Sequence, residues 1–476
     1  MQNTAVAQLF ARAAEHAVEF RAGLPKRPQR PLQTYAQALA GFDAPTPEAG
    51  TEAQIVLEDL VARAEPGLHA MAGPRFFGWV IGNSHPMGVA ADFLTSAWGQ
   101  NAGNHTATPA AAACETVAMR WLLDILDLPR ESSVGFVSGA TMAGFVGLAA
   151  ARSELLRRLG WDVEADGLFG APPITVLIGA EAHITVFTAL QYLGLGRQRV
   201  IRIPVDGQGR MLPDAFALAM RNAMQDPAVI VVTQAGQLNT GAFDPHRAII
   251  AEARRHKNVW VHVDGAFGLW ARACPMRAPL AEGVELADSW STDGHKWLQT
   301  PYDCGFAIMR DAEAHRRAMT IAASYLPPVA AGERDPSHFV PELSRRARGF
   351  AVWAMLKHLG RDGVAAMVER HCRYAALLAE KLRDEKDKGI AVLNDVVLNQ
   401  VIVRFGADRA PEAGDAATAE TIAAIQRDGT CFAGGAQWQG RMVMRLSVIG
   451  ASTSENDVLH SAEAIIKAWR GVHAAA

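Results

Sequence analysis

Seven short runs rich in β-branched residues lie between residues 76 and 350: Val134 to Val137, Ile174 to Ile178, Val200 to Ile203, Val229 to Val232, Val259 to Val263, Ala287 to Ser291 and Gly305 to Met309. Stretches of helical periodicity separate them. Parallel neighbours need a crossover long enough to hold a helix, so this rhythm predicts an α/β domain over 76–350 with a mostly parallel, seven-stranded sheet covered by helices. Upstream, Val6, Leu9, Phe10, Ala13, Ala14, Ala17 and Val18 follow the spacing of an amphipathic helix that Gly23 and Pro25 stop. Pro25 to Pro31 is a proline-stiffened connector, and residues 1–75 stand apart as an N-terminal helical segment. Beyond residue 350, strands near Val401 to Arg404 and Met442 to Val448 flank a helix at Thr418 to Arg427. Ser452 with Glu455 reads as the capping box of a last helix, giving a small α+β domain over 351–476. The charged run Arg383 to Lys388 reads as a solvated helix end.

The chain has 476 residues, enough for two or three domains, and its 50% hydrophobic and 20% charged content is that of a soluble globular protein. A formal net charge of −3 gives no electrostatic reason to expect nucleic acid or an anionic membrane as partner. The five cysteines (Cys114, Cys274, Cys304, Cys372, Cys431) are scattered, so neither a metal site nor a disulfide framework is expected. No basic segment followed by an apolar run opens the chain, and no stretch is long enough to cross a bilayer. The cytoplasm is the expected location.

Two of the apolar runs end in charge. Val259 to Val263 delivers Asp264, and Ala287 to Ser291 leads through Asp293 and His295 to Lys296, thirty-two positions further on. Pyridoxal phosphate (PLP) needs such a pair: a lysine to hold its aldehyde as a Schiff base, and a carboxylate to keep the pyridine nitrogen protonated so that the ring can accept electrons. The same two residues also fit a buried ion pair, or two unrelated strand-end charges. Ser138-Gly139-Ala140-Thr141 opens a helix after the first run, where free backbone N–H groups can bind phosphate or simply be capped.

Asp293-Gly294-His295-Lys296-Trp297 followed by Pro301-Tyr302-Asp303-Cys304-Gly305 resembles the lysine motif of the group II PLP-dependent amino acid decarboxylases. That family contains the aromatic amino acid, glutamate and diaminobutyrate decarboxylases. His262-Val263-Asp264-Gly265-Ala266 is similar to its aspartate motif, and the likeness runs in order from about Arg75 through Ser344 to Arg348 and on to Arg445-Leu446-Ser447-Val448.

The resemblance implies PLP fold type I, the aspartate aminotransferase-like fold, and a homodimer in which the N-terminal segment packs across the partner and the active site lies at the subunit interface. It implies Lys296, His183 and Asp264 as catalytic residues, His183 stacking on the cofactor ring. Ala140, Thr141, Gln237, Ala266 and His295 would complete the cofactor site. Asp293 stands where several relatives have asparagine, and a second anion beside the phosphate is unfavourable unless it faces away. Gln237 lies where relatives reach the cofactor's 3′-hydroxyl, while Asp244 is read as a cap for the following helix. Arg445 would bind the substrate α-carboxylate, an interdomain salt bridge being its alternative. Trp79, Asn83, His85 and His105 fall in the segment that lines the substrate pocket, where core or interface roles are also open. In aromatic decarboxylases a mobile loop carries a tyrosine that protonates the substrate carbon; here Leu326 to Pro341 has none, Tyr325 precedes it, and His338 could serve instead or be a solvated loop residue.

The expected reaction is decarboxylation of an L-amino acid, possibly aromatic, with a small-molecule substrate as ligand. Carbon–carbon lyase or aldolase chemistry, transamination and oxidative deamination share the cofactor and stay open, as does a non-catalytic PLP-binding scaffold.

Overall fold

The structure, a computed structural model, describes residues 3–320, 332–384 and 389–474. The chain divides into two compact units, one of Met1–Val80, Ala376–Leu393 and Val401–Ala476, the other of Ile81–Ala375 and Asn394–Gln400.

The second, larger unit is built on seven strands: β1 (Ser133–Val137), β2 (Ile174–Gly179), β3 (Ile201–Ile203), β4 (Ala228–Gln234), β5 (Val259–Asp264), β6 (Ser289–Asp293) and β7 (Gly305–Met309). Their order across the sheet is β1-β7-β6-β5-β4-β2-β3. The pairings β2–β3, β2–β4, β4–β5 and β5–β6 are parallel, while β7 runs antiparallel to both β1 and β6. Every residue of β1, β4, β5, β6 and β7 is buried, which is why these runs read as continuous apolar stretches rather than as alternations. All seven strands lie where the sequence predicts them, give or take two residues at an end. The sixth is shifted as a whole, starting at Ser289 and ending at Asp293, because β7 extends the ladder by pairing Gly305 with Asp293.

The α-helices reached in chain order up to the one that follows β1 directly are α1 (Asn3–Gly23), α2 (Tyr35–Phe42), α3 (Ala53–Ala64), α4 (Pro86–Trp98), α5 (Pro109–Ile125) and α6 (Ala140–Arg157). The first three belong to the smaller unit and the last three to the larger. Of these, α6 packs its small residues Ala143, Ala149, Ala150 and Ala151 into the central core. It lies so close to the sheet that a Cβ on Gly147 would come within 2.8 Å of the His262 ring. At the start of β7, a Cβ on Gly305 would lie 2.5 Å from Gly139 Cα, so the turn into α6 crosses the sheet edge where no side chain intervenes.

A buried charge cluster ties β1 to distant segments. Arg345 donates to Glu115 Oε1 (2.6 Å) on α5, to Ala102 O (2.8 Å) and to Phe136 O (2.8 Å). Arg334 donates to Val134 O (2.5 Å), places Nη1 3.8 Å from Glu115 Oε2 and lies 4.2 Å above the Phe339 ring. Arg345 and Glu115 side chains are 0% and 1% exposed, so each charge depends on its partners.

The smaller unit contains an antiparallel sheet of β8 (Ile390–Val392), β9 (Gln400–Phe405), β10 (Gly434–Trp438) and β11 (Arg441–Ser447) in the order β10-β11-β9-β8, with helices Pro411–Asp428 and Glu455–Ala474. The predicted capping box is displaced by two residues: Ser454 Oγ accepts from Asp457 N (3.2 Å), and Asp457 Oδ2 accepts from Ser454 N (3.0 Å). Ser452 instead donates to Ala72 O (3.4 Å). Within the same unit, α1 is joined to α3 by Arg12 Nε and Glu58 Oε1 (2.6 Å), while α2 and α3 bury no residue. No described helix is long and apolar enough to cross a membrane. Of the charged run 383–388, residues 385–388 lie outside the described residues.

His246, His262 and His315 are fully enclosed in the larger unit, with Nδ1 against Thr233 Oγ1 (3.2 Å), Ser289 Oγ (2.8 Å) and Ser133 Oγ (2.8 Å) respectively. Burial pushes all three imidazoles down to about 3. Their depressed values make stability fully present above the unfolded value near 6.5 and progressively lost as pH falls toward 3, at up to roughly 4 kcal/mol per pH unit for three protons. Urea unfolding should therefore show a lower midpoint at pH 5.5 than at pH 7.5, and His262→Gln should flatten that dependence; equal midpoints would contradict it.

Candidate active site

The parallel ladder between β5 and β6 fixes the first part of the site. Asp264, the last residue of β5, pairs with Ser291 on β6. Its carboxylate is buried, accepts Ala266 N at 3.3 Å and has no ion-pair partner within 4 Å among the described residues. Burial pushes it above the usual carboxylate range, a shift opposed by the positive charges of His183 and Lys296.

Lys296 lies in the turn after β6, with Nζ 3.1 Å from Asp293 Oδ2 and 6.0 Å from the Phe267 ring centre. The turn is held by Gly294 N and His295 N, both donating to Cys304 O (3.1 and 3.2 Å). Gly82 packs against it, and a Cβ there would sit 1.6 Å from His295 O and 2.6 Å from Lys296 Cα. Gly82 and Phe267 are site residues that sequence reasoning missed. An isolated glycine beside an apolar run is the sole signal Gly82 gives.

At the N-terminus of α6, Ala140 N donates to Asp293 Oδ1 at 2.5 Å, and His295 Nε2 lies 3.5 Å from the same oxygen. Asp293 therefore faces this helix end instead of turning away from it. His295 also accepts Cys304 N at Nδ1 (3.2 Å) and packs on the Tyr302 ring at 4.5 Å; burial lowers its pKa, leaving the imidazole neutral. Thr141 is exposed in the first turn of α6. His183 caps the helix Ile184–Tyr192, with Nδ1 2.7 Å from Thr185 Oγ1. Thr185 thus orients the His183 ring.

Gln237 is committed to its own loop. Its Oε1 accepts Asn239 N (2.6 Å) and Thr240 N (3.0 Å), and its Nε2 donates to Glu181 O (3.4 Å). Asp244 is not a helix cap: its two oxygens accept Met211 N and Gln234 N, each at 2.7 Å, and Pro245 begins the next helix without a side-chain cap. Two distant backbone donors outcompete the local one.

The remaining candidates are spread more widely. Asn83 is buried, and its Nδ2 has no hydrogen-bond partner among the described residues. His85 caps α4 by accepting Met87 N (3.1 Å). His105 is engaged by the described part of the loop Leu326 to Pro341, with Nδ1 2.5 Å from Asp335 Oδ1 and Nε2 3.1 Å from Glu333 Oε2, and Asp335 raises its pKa. His338 sits in a short 3-10 turn, Pro336–Phe339, 4.0 Å from Asp335, and burial lowers its pKa. Tyr325 and the loop residues up to 331, with Pro327 and Pro328, lie outside the described residues. Trp79 and Arg445 belong to the smaller unit. Trp79 holds a left-handed backbone (φ 53°) and packs with His69, Phe76 and Phe432 at 5.4–5.8 Å between ring centres. Arg445 lies on β11 opposite Gly434, and burial pushes its guanidinium down to about 10.

Residues 35–405 match the model of the pyridoxal-dependent decarboxylase conserved domain. The chain belongs to this family. Tryptophan decarboxylase 1 of Oryza sativa is 28% identical over 87% of this chain and 83% of its own. The L-2,4-diaminobutyrate decarboxylase of Rhizobium meliloti is 30% identical over 87% and 82%, and the 4-hydroxyphenylacetaldehyde synthase of Rhodiola rosea 24% identical over 86% and 83%. A crystal structure of Oryza sativa TDC with PLP and tryptamine, 24% identical, covers 99% of both chains with a TM-score of 0.91. The fold is thus PLP fold type I, and membership of the decarboxylase family makes PLP the cofactor and carboxy-lyase chemistry the enzyme class.

The residues present fit that cofactor. Asp264 is a buried carboxylate without a direct cationic partner, which a protonated pyridine nitrogen would supply. The helix end beside Gly139 offers a backbone donor where a Cβ would come within 3.0 Å of His295 Cε1 and 3.3 Å of Asp293 Oδ1. Gly82→Ala should displace the His295–Lys296 turn and weaken PLP binding by at least roughly tenfold, since an added methyl cannot share space with main-chain atoms. Absorbance titration with PLP, alongside a thermal melt that reports the fold, measures this; unaltered binding would show that the turn does not need the close approach.

Proposed function

We propose that the chain decarboxylates an L-amino acid to its amine and carbon dioxide, with Lys296 as the residue that carries the cofactor. The observation that supports this best is the Asp264–Lys296 arrangement, a buried carboxylate and an amine delivered by two adjacent parallel strands. When bound, PLP supplies an electron-accepting ring into which the electrons of the bond to the departing carboxylate can pass. Lys296 Nζ, a primary amine at the end of the β6 turn, would be the group that holds the cofactor's aldehyde. Asp264 holds the proton on the ring nitrogen. His183, oriented by Thr185, would lie against the ring, Ala140, Thr141 and His295 would hold the phosphate, and Ala266 and Gln237 would shape the neighbouring wall.

Arg445 would orient the substrate carboxylate through its paired N–H donors. Asn83 offers a buried amide donor to the pocket, and His105 with Asp335 anchors one end of the loop that carries His338. The relatives named for tryptophan and for 4-hydroxyphenylacetaldehyde favour an aromatic substrate. A homodimer with its active site at the subunit interface accounts for the exposed Phe10, Val18, Tyr35, Leu39, Phe42 and Leu60 of α1–α3.

A second product is favoured by the loop Leu326 to Pro341, whose sequence contains no tyrosine. Without prompt protonation of the substrate carbon, oxygen competes: amino acid, O2 and water then give aldehyde, carbon dioxide, ammonia and hydrogen peroxide. Screening amino acids for carbon dioxide release, with amine, aldehyde and peroxide measured together, tests both readings. His338→Ala should raise the aldehyde fraction; strict one-to-one formation of amine and carbon dioxide in both proteins would place the proton donor elsewhere.

Lys296→Ala should abolish the absorbance of covalently held cofactor while leaving the thermal melt nearly unchanged; a spectrum that survives borohydride reduction and dialysis would refute the assignment. Asp264→Asn should bind PLP more weakly and lose most turnover, because the ring proton loses its counter-ion. Near-parental turnover would remove Asp264 from this role.

A further inference from the structure

The Asp293 carboxylate, buried at 2% exposure, lies within reach of three groups that a phosphate would use or that the aldehyde would meet. Ala140 N donates to Oδ1 at 2.5 Å, His295 Nε2 stands 3.5 Å from the same oxygen, and Lys296 Nζ is 3.1 Å from Oδ2. The main chain of Asp293 is equally fixed: its N–H donates to Ala266 O (2.9 Å) and its carbonyl accepts Trp270 Nε1 (2.9 Å). Backbone movement cannot easily carry the carboxylate out of the way. It must rotate about its side-chain bonds or share its donors.

We propose that Asp293 sets the strength of cofactor binding by competing, as an anion, with the phosphate group for the N-terminus of α6. A helix end attracts one anion strongly, and a second negative group nearby offsets that attraction. The competition also engages Lys296, whose amine is held on Asp293 Oδ2 and must leave it to reach the aldehyde. Asp293 is thus a positioning residue that trades tight cofactor retention for exchange. This inference rests on the reading of Ala140 as part of the phosphate site and of Lys296 as the attachment point.

Asp293→Asn preserves shape and can still accept the Ala140 N–H while removing the charge. The test uses the full chain stripped of cofactor, titrated with PLP and separately with pyridoxal, which has the aldehyde and ring but no phosphate. The Asp293→Asn substitution is expected to lower the Kd for PLP roughly tenfold more than it lowers the Kd for pyridoxal, which gains only from the release of Lys296, and to slow PLP release. An unchanged or higher Kd for PLP, or an equal gain for pyridoxal, overturns the proposal. Should Asp293→Asn melt early, Asp293→Ser provides the same comparison with a smaller neutral acceptor. Borohydride trapping followed by peptide mapping separates the two levels of inference. Label on Lys296 with no gain in affinity sinks the competition alone, whereas label on another lysine of the parent protein sinks the site reading and the proposal together.

Discussion

A carboxylate buried at the end of a parallel strand is the constraint around which the larger unit is organised. Asp264 cannot stay charged in apolar surroundings without nearby positive charge; His183 and Lys296 oppose its upward shift without pairing with it directly, and the β5–β6 ladder brings the Lys296 turn alongside. That turn must then be held rigidly. Cys304 O takes two of its N–H groups, Gly82 fits beneath it without a side chain, and Tyr302 closes over His295. The antiparallel strand β7, which supplies Gly305 next to Gly139, places the end of α6 at the same edge of the sheet.

Most of this frame was legible in the sequence because the strands are buried on both faces and so appear as uninterrupted apolar runs. The charged residues ending two of those runs pointed to the cofactor, and the motifs around them to the family. Local patterns sufficed for the buried strands. They failed where a side chain had to choose between near and distant partners. Asp244 abandons its own helix for Met211 N and Gln234 N, and Ser454, not Ser452, closes the last cap. The sixth strand was placed two residues early because its end depends on pairing with β7, which periodicity within the run does not encode.

The charges of the larger unit divide into those that build and those that respond. Glu115, Arg345 and Arg334 join β1 to the segments flanking it, and each has partners fixed on more than one element. Asp293 and Lys296 are joined to one another and to a helix end, so either can be drawn away by a competing ligand. A buried pair of the first kind resists change, since removing one member strands the other; a pair of the second kind is a contact that a bound anion can exchange. The first kind grips β1 along its length, through Val134 O and Phe136 O, and the second sits where β1 gives way to α6.

The placement of β7 has a consequence for how the molecule is made. β1 has β7 as its neighbour in the sheet, and their paired ends, Ser133 and Met309, are 176 positions apart. A nascent chain that has not yet reached β7 at Gly305 therefore offers β1 no ladder to join, however well the central strands β2, β4 and β5 have formed. Closing so long a loop is slow relative to local pairing. The N-terminal end of α6, where β1 gives way to it, is consequently assembled among the last parts of the sheet.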